Sequence, residues 1–125
     1  EVDFSIHKYG EYREDGISGI TDYLDKHREK VLKNETRIKV KTQTLNDILK
    51  ENKSPYIIDY LSLDTEGTEL EILKSVDLNK YKFRIISVEH NHMFKRRKEI
   101  FELLNGYNYK LYKSKNADDF YINQL

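Results

Sequence analysis

The chain has no cysteine. Disulfides, thiolate metal sites and cysteine nucleophiles are therefore excluded, and the absence suits a reducing, cytoplasmic setting. An excess of charge of one sign is also missing: 22 Lys+Arg stand against 22 Asp+Glu, for a net charge of zero. No overall field draws in nucleic acid or an anionic membrane. No apolar run approaches the roughly 20 residues that span a bilayer, and no signal peptide is visible at the start. The only proline is Pro55, and the five glycines, at positions 10, 16, 19, 67 and 106, form no G-x-G-x-x-G run. Internal repeats and low-complexity segments are absent as well.

What is present is a well-solvated globular composition, 38% hydrophobic and 35% charged over 125 residues. That length predicts one domain with a modest core. The first residue is Glu1 and the opening VDFSI already alternates like a strand. The expectation is a piece of a longer chain, with tag removal or N-terminal processing as the alternative.

Val2, Phe4 and Ile6 alternate as in a half-buried strand. Residues 9–19 carry three glycines among charges and read as a loop. TDYLDKHREKVLK (21–33) reads as a short helix with Tyr23, Leu24, His27 and Val31 on one side. RIKVKTQT alternates again, with Ile38 and Val40 facing inward, and TLNDILKE reads as a helix capped by Thr44 with Asp47 three residues on. YIIDYLSL is apolar enough for a central strand covered on both sides. TELEILKSV starts as a helix at a Thr68/Glu71 capping box, with Leu70, Leu73 and Val76 as its stripe. KFRIISVE is a second buried strand, and KRRKEIFELLNGY is the clearest helix, stopping at Gly106. YKLYKS and DFYINQL around SKNADD read as an antiparallel hairpin. Buried strands alternating with helices imply parallel pairing through right-handed crossovers, hence an open α/β sheet with an antiparallel edge.

In such sheets ligands sit beyond the carboxyl ends of the strands. Asp64 closes the first buried strand and Glu66 lies in the turn after it; Glu89, followed by His90, Asn91 and His92, closes the next. Neighbouring strands would put these groups on one rim. Gly67 permits a tight turn, and the helix start after it offers free N–H groups. A carboxylate there can take a proton from a hydroxyl, hold a divalent cation together with a histidine, or accept hydrogen bonds from a cofactor. An acid at a strand-to-helix turn can also be only a cap, worth about 1 kcal/mol. Glu69 and Glu71 read as helix-start residues, and His7 and His27 as ordinary surface residues. The run KRRK (95–98) reads as a solvated helix face, with an anion site as the alternative. The ten tyrosines read mainly as core or interface, with an acceptor pocket as the other use.

TLNDIL, IDYLSLDTEGTELEILKSVD, RIISVEHN and IFELLNGYNYKLY, in that order, resemble the C-terminal half of FkbM-type methyltransferases over about residues 42–113, with weaker similarity at GISGI. The D-x-E-G-x-E run after an apolar strand is the most specific part. The resemblance implies a partial class I, Rossmann-like S-adenosylmethionine-dependent methyltransferase sheet. It would be mostly parallel with an antiparallel C-terminal hairpin, and would lack the first three strands. Residues 1–41 would be an insertion and strand region and 42–125 the β/α core. The two buried strands would be the fourth and fifth of that fold, with the sixth and seventh in the hairpin. The implied activity is O-methyl transfer to a sugar or natural-product hydroxyl.

Carried over residue by residue, Asp64, Glu66 and Glu89 are the candidate catalytic residues, Asp64 first as base or metal ligand. Asp64, Glu89 and His90 are the candidate metal set, and a divalent metal is a candidate cofactor beside S-adenosylmethionine. The Gly-rich turn and the ribose-binding acid that such a donor needs are not in this sequence, so the resemblance implies an acceptor-side half. Its partners would be a small-molecule acceptor, with no nucleic acid and no membrane. Self-association is expected through the sheet edge left bare at IDYLSL. Two alternatives stand beside this reading: a non-catalytic α/β interaction module on the same scaffold, and a metal-assisted hydrolase resting on Asp64, Glu66, Glu89 and His90.

Overall fold

The computed structural model describes residues 1–7, 18–24 and 35–124. The loop expected over 9–19 and the helix expected over 21–33 fall mostly outside the described residues, and His27 falls wholly outside them. The chain divides into two compact units, Glu1–Thr42 with Thr65–Thr68, and Gln43–Asp64 with Glu69–Leu125.

In the first unit the alternating segments form β1 (Val2–His7) and β3 (Glu35–Val40), and a short strand β2 (Ser18–Ile20) stands where the end of a loop was expected. Their order is β2-β1-β3, and both pairings are antiparallel, with Phe4 opposite Ile20 on one side and Ile38 on the other. Asp3 lies opposite Lys39 and the two side chains pair at 2.8 Å. Alternation located β1 and β3 but neither β2 nor the pairing: a period of two says which residues share a face and nothing about strand direction. The RIKVK segment is thus not a crossover strand. Ile38, expected to face inward, is 41% exposed.

The second unit begins with α1 (Leu45–Glu51). The Thr44 hydroxyl accepts the Asp47 N–H at 3.1 Å and donates to the Asp47 carboxylate at 2.7 Å, the cap read from the sequence. It continues through β4 (Ile57–Leu63), α2 (Glu69–Ser75), β5 (Lys82–Glu89), α3 (Phe94–Gly106), β6 (Tyr109–Lys115) and β7 (Asp118–Asn123). The sheet order is β4-β5-β7-β6. β4 and β5 are parallel, while β7 runs antiparallel to both β5 and β6. The sheet is therefore mixed, with one parallel pair where a mostly parallel sheet was expected. The physical reason lies in the last turn. A two-residue hairpin returns the chain from β6 directly into β7, which fills the place beside β5 that a further crossover strand would otherwise take.

Leu70 and Leu73 of α2, Phe83, Ile86 and Val88 of β5, Ile100 and Leu104 of α3, and Tyr109 and Tyr121 of the hairpin form one core cluster. Each side chain of this kind, fully buried, contributes roughly 1.5–3 kcal/mol. Among the described residues β4 stands at the sheet edge, as expected for IDYLSL in a sheet lacking its first strands, and not as the central strand covered on both sides that its apolar run suggested. Its Ile57 and Tyr60 are 50% and 52% exposed. No helix among the described residues is long and apolar enough to cross a membrane.

Candidate functional site at the ends of the parallel strands

The parallel register pairs Leu63 with Val88, so the next residues out, Asp64 and Glu89, leave the sheet side by side. Their carboxylates approach within 4.8 Å. Asp64 is exposed and Glu89 half-buried. Like charges this close repel by roughly 1 kcal/mol in water and by more where solvent is excluded, so the pairing has to be held by the structure around it.

Glu66 follows in the turn Thr65–Thr68, which clusters with the N-terminal strands. That turn carries two residues in the left-handed region, Glu66 at φ 56 and Gly67 at φ 120. The second explains the glycine, since an L side chain rarely adopts it. In the same turn the Thr68 hydroxyl donates to Thr65 at 2.8 Å. Glu71, expected to reach back in a capping box, instead pairs with Lys74 at 3.4 Å. Glu69, 1% exposed, occupies the first turn of α2, where the helix dipole favours an acid.

After Glu89 the chain turns sharply. The Asn91 amide donates to Glu89 Oε2 at 2.6 Å. His90 is 3% exposed; its Nδ1 accepts the His92 N–H at 3.1 Å and its Nε2 lies 3.6 Å from Asp119 Oδ1. Its nitrogens thus face its own turn and β7. Two carboxylates at this distance offer the oxygen ligands that a hard divalent cation takes. Asp64 and Glu89 are the residues of this unit that could hold one.

A network behind this turn was missed in the reading of the sequence. Asp119 of β7 is 2% exposed and receives both arms of Arg97, at 2.7 and 2.8 Å, and the Ser114 hydroxyl at 2.6 Å. Burial works against its charge, but the hydrogen bonds from Arg97 and Ser114, with the positive charge of Arg97, outweigh it and hold the carboxyl below its ordinary value. Burial is also the main reason that the His90 pKa falls below that of a free imidazole; Asp119 pulls the other way without prevailing. Tyr121, 1% exposed, has its hydroxyl pushed well up, by burial first and then by Asp119. The signal available in the sequence was an acid inside the apolar DFYIN strand combined with an arginine in KRRK. Of that basic run, Lys95 and Lys98 are exposed as expected, while Arg97 turns inward to Asp119.

A cavity of about 480 Å³ opens beside the turn, lined by Leu70, His92, Met93, Phe94, Lys95, Arg96 and Glu99. A smaller one of about 260 Å³ is lined by Phe94, Arg97, Phe101, Leu111, Asp119 and Tyr121 among others.

Acids gathered at the carboxyl ends of adjacent parallel strands, with helices following each, define an α/β protein of the kind that binds ligands at its strand-end rim. The chain belongs to the family of the methyltransferase FkbM domain, whose model matches residues 4–111. That match begins well before residue 42, so the N-terminal antiparallel strands lie within the family domain. No curated protein and no solved structure matches the chain.

Methyltransferases of this kind use S-adenosylmethionine as donor. Its anionic carboxylate and ribose hydroxyls call for a glycine-rich strand–turn–helix with inward N–H groups, followed by an acid for the ribose. In the second unit, the turn after β5 is His90–Met93, which has no glycine. In the other strand-to-helix turn, Gly67 stands alone. The described residues do not fit the donor's cradle, and none is assigned to hold it.

Proposed function

We propose that this chain supplies the acceptor side of an O-methyl transfer to a sugar or natural-product hydroxyl. The observation that carries the reading is the approach of Asp64 and Glu89 within 4.8 Å at the ends of two parallel strands. The donor, when bound, supplies an electrophilic methyl group. The work of this chain is to orient the acceptor oxygen and relieve it of its proton. Asp64, exposed at the rim, accepts the hydrogen bond of the acceptor hydroxyl and takes the proton as the oxygen becomes nucleophilic. Glu89, which accepts a hydrogen bond from the Asn91 amide, holds a neighbouring hydroxyl and keeps the acceptor in register. Glu66 shapes the loop. The cavity of about 480 Å³ beside the turn falls in the size range of small-ligand pockets.

S-adenosylhomocysteine titrated into the purified chain by calorimetry gives the first test. The expected result is no saturable heat, because the cradle is missing from the described residues; micromolar binding would show that the chain completes a donor site. The acid roles are tested in the transfer reaction with a donor-binding polypeptide supplied to the chain, because the described residues hold no donor site. Asp64→Asn should lower kcat by about 10²–10⁴-fold, the usual worth of a general base, with a much smaller change in KM. Unchanged kcat would remove Asp64 from the chemistry. If Asp64 instead holds a divalent ion, the same variant should abolish ion binding.

A further inference from the structure

Between β5 and α3 the chain reverses within four residues, and it does so through two consecutive left-handed residues that are not glycine, Asn91 at φ 45 and His92 at φ 58. Such conformations persist only where the surroundings over-determine them. Here they do. The His90 N–H donates to the Ala117 carbonyl of the β6–β7 turn at 2.8 Å, and the Met93 N–H donates to the His90 carbonyl at 2.8 Å. The His92 N–H is taken by the His90 ring at 3.1 Å. The far side of that ring rests against Asp119, itself locked by Arg97 and Ser114. The turn is clamped from the helix, from the hairpin and from within.

This clamping turns Asn91 back toward the strand it has just left. Asn91 is 6% exposed and its amide meets Glu89 Oε2 at 2.6 Å, a short charge-assisted bond. Glu89 has three side-chain torsions and a like charge, Asp64, within 4.8 Å. Repulsion between the two carboxylates favours rotamers that part them. A hydrogen bond to an ionised acceptor is of the same order as the repulsion and can offset it. A carboxamide has the added property that it cannot itself become charged.

The geometry points to Asn91 as the positioning residue of the acid pair: through its amide it fixes the Glu89 carboxylate beside Asp64, and the left-handed turn exists to deliver that amide. This rests on the reading above that Glu89 serves the acceptor, and it assigns Asn91 a role through Glu89. The competing account is conformational. Asn is among the few L residues that tolerate the left-handed region, and it would be there for that reason alone.

Two variants separate these accounts. Asn91→Gly accepts the same φ without strain and removes the amide. Asn91→Asp keeps size and left-handed tolerance and replaces the donor with an acceptor. Nuclear magnetic resonance on the full 125-residue chain reads the outcome without any transfer assay. In the unaltered chain the two γ-protons of Glu89 should be well separated in shift, as in a single rotamer, and one Asn91 side-chain amide proton should be shifted downfield and protected from exchange. Glu89→Ala should abolish that amide signature. In Asn91→Gly and Asn91→Asp, with backbone spectra otherwise native, the Glu89 γ-protons should merge toward one averaged shift. Retention of a single Glu89 rotamer in either folded variant would overturn the proposal, as would the absence of a protected Asn91 amide in the unaltered chain. If Glu89 is released in the variants while Glu89→Gln leaves methyl transfer intact, the acceptor reading fails and the positioning role stands.

Discussion

At the scale of single residues, the consequential pair is His90 and Asp119, because both titrate and both are buried. Burial holds His90 neutral, so its folded pKa lies below the 6.5 of a free imidazole. As the pH falls through 6.5 the unfolded chain takes up a proton that the folded chain refuses until lower pH. The unfolded state then binds more protons, and stability falls with falling pH over that window. Asp119 is depressed below 3.8, so its contribution is present above 3.8 and is lost as the pH falls through its folded value. The two slopes share a sign and occupy separate windows. Urea melts of the chain should therefore show a lower midpoint at about pH 5.5 than at about pH 7.5. His90→Gln should remove most of that first step and leave the drop at more acid pH. A step that survives unchanged in His90→Gln would assign it to other histidines.

Among the elements, α3 shows how a correct helix can carry a wrong stop. Gly106 was expected to end it in a left-handed cap. Instead Gly106 is the last helical residue, Tyr107 at φ −110 follows as the cap, and the left-handed residue is Asn108 at φ 67. The Tyr107 N–H closes on Leu104 at 3.0 Å and the Asn108 N–H on Asn105 at 3.2 Å. Gly106 therefore uses none of the freedom for which glycine is chosen, and a Cβ there would meet nothing within 4 Å. Gly106→Ala should stabilise the fold by about 0.5–1 kcal/mol, read as a rise of a few degrees in Tm; a fall would mean the open space is used. The same contrast runs through the other elements. Leu45–Glu51, Phe94–Gly106 and the strands other than Ser18–Ile20 were legible because periodicity and the Thr44 cap are local signals, whereas three residues ending a glycine-bearing loop show no period. The antiparallel pairing of β1 with β3 was not, since alternation carries no strand direction. Asp64 and Glu89 were legible as strand-end acids. Asp119 was not, because Arg97, the partner that makes it matter, stands 22 residues away on a helix that reads as solvated.

For the whole molecule, the second unit leaves one long sheet edge open among the described residues. Among the described residues β4 pairs only with β5, and Ile57 and Tyr60 stand exposed on its opposite faces with Asp59 as the one charge on the strand. Tyr56, Ile57 and Tyr60 are 62%, 50% and 52% exposed, and Ile85 on the neighbouring strand is 40% exposed. The Tyr60 hydroxyl is anchored to Ser87 at 2.6 Å, which keeps its ring standing on that face. Asp59, the one acid of the strand, pairs with Arg84 at 3.1 Å and stays 94% exposed, so a single solvated charge guards the edge. With a net charge of zero, copies of the chain do not hold one another apart. A parallel strand pair is ordinarily covered on both faces, and a second copy pairing along β4 would extend the sheet and bury the edge. Sedimentation of the isolated chain should accordingly show concentration-dependent association, weakened by Ile57→Lys, which places a charge on the edge without touching the Tyr60–Ser87 bond. A single monomeric species at high concentration would show that the exposed edge is tolerated in water. Association unaltered by Ile57→Lys would place the contact elsewhere on the chain.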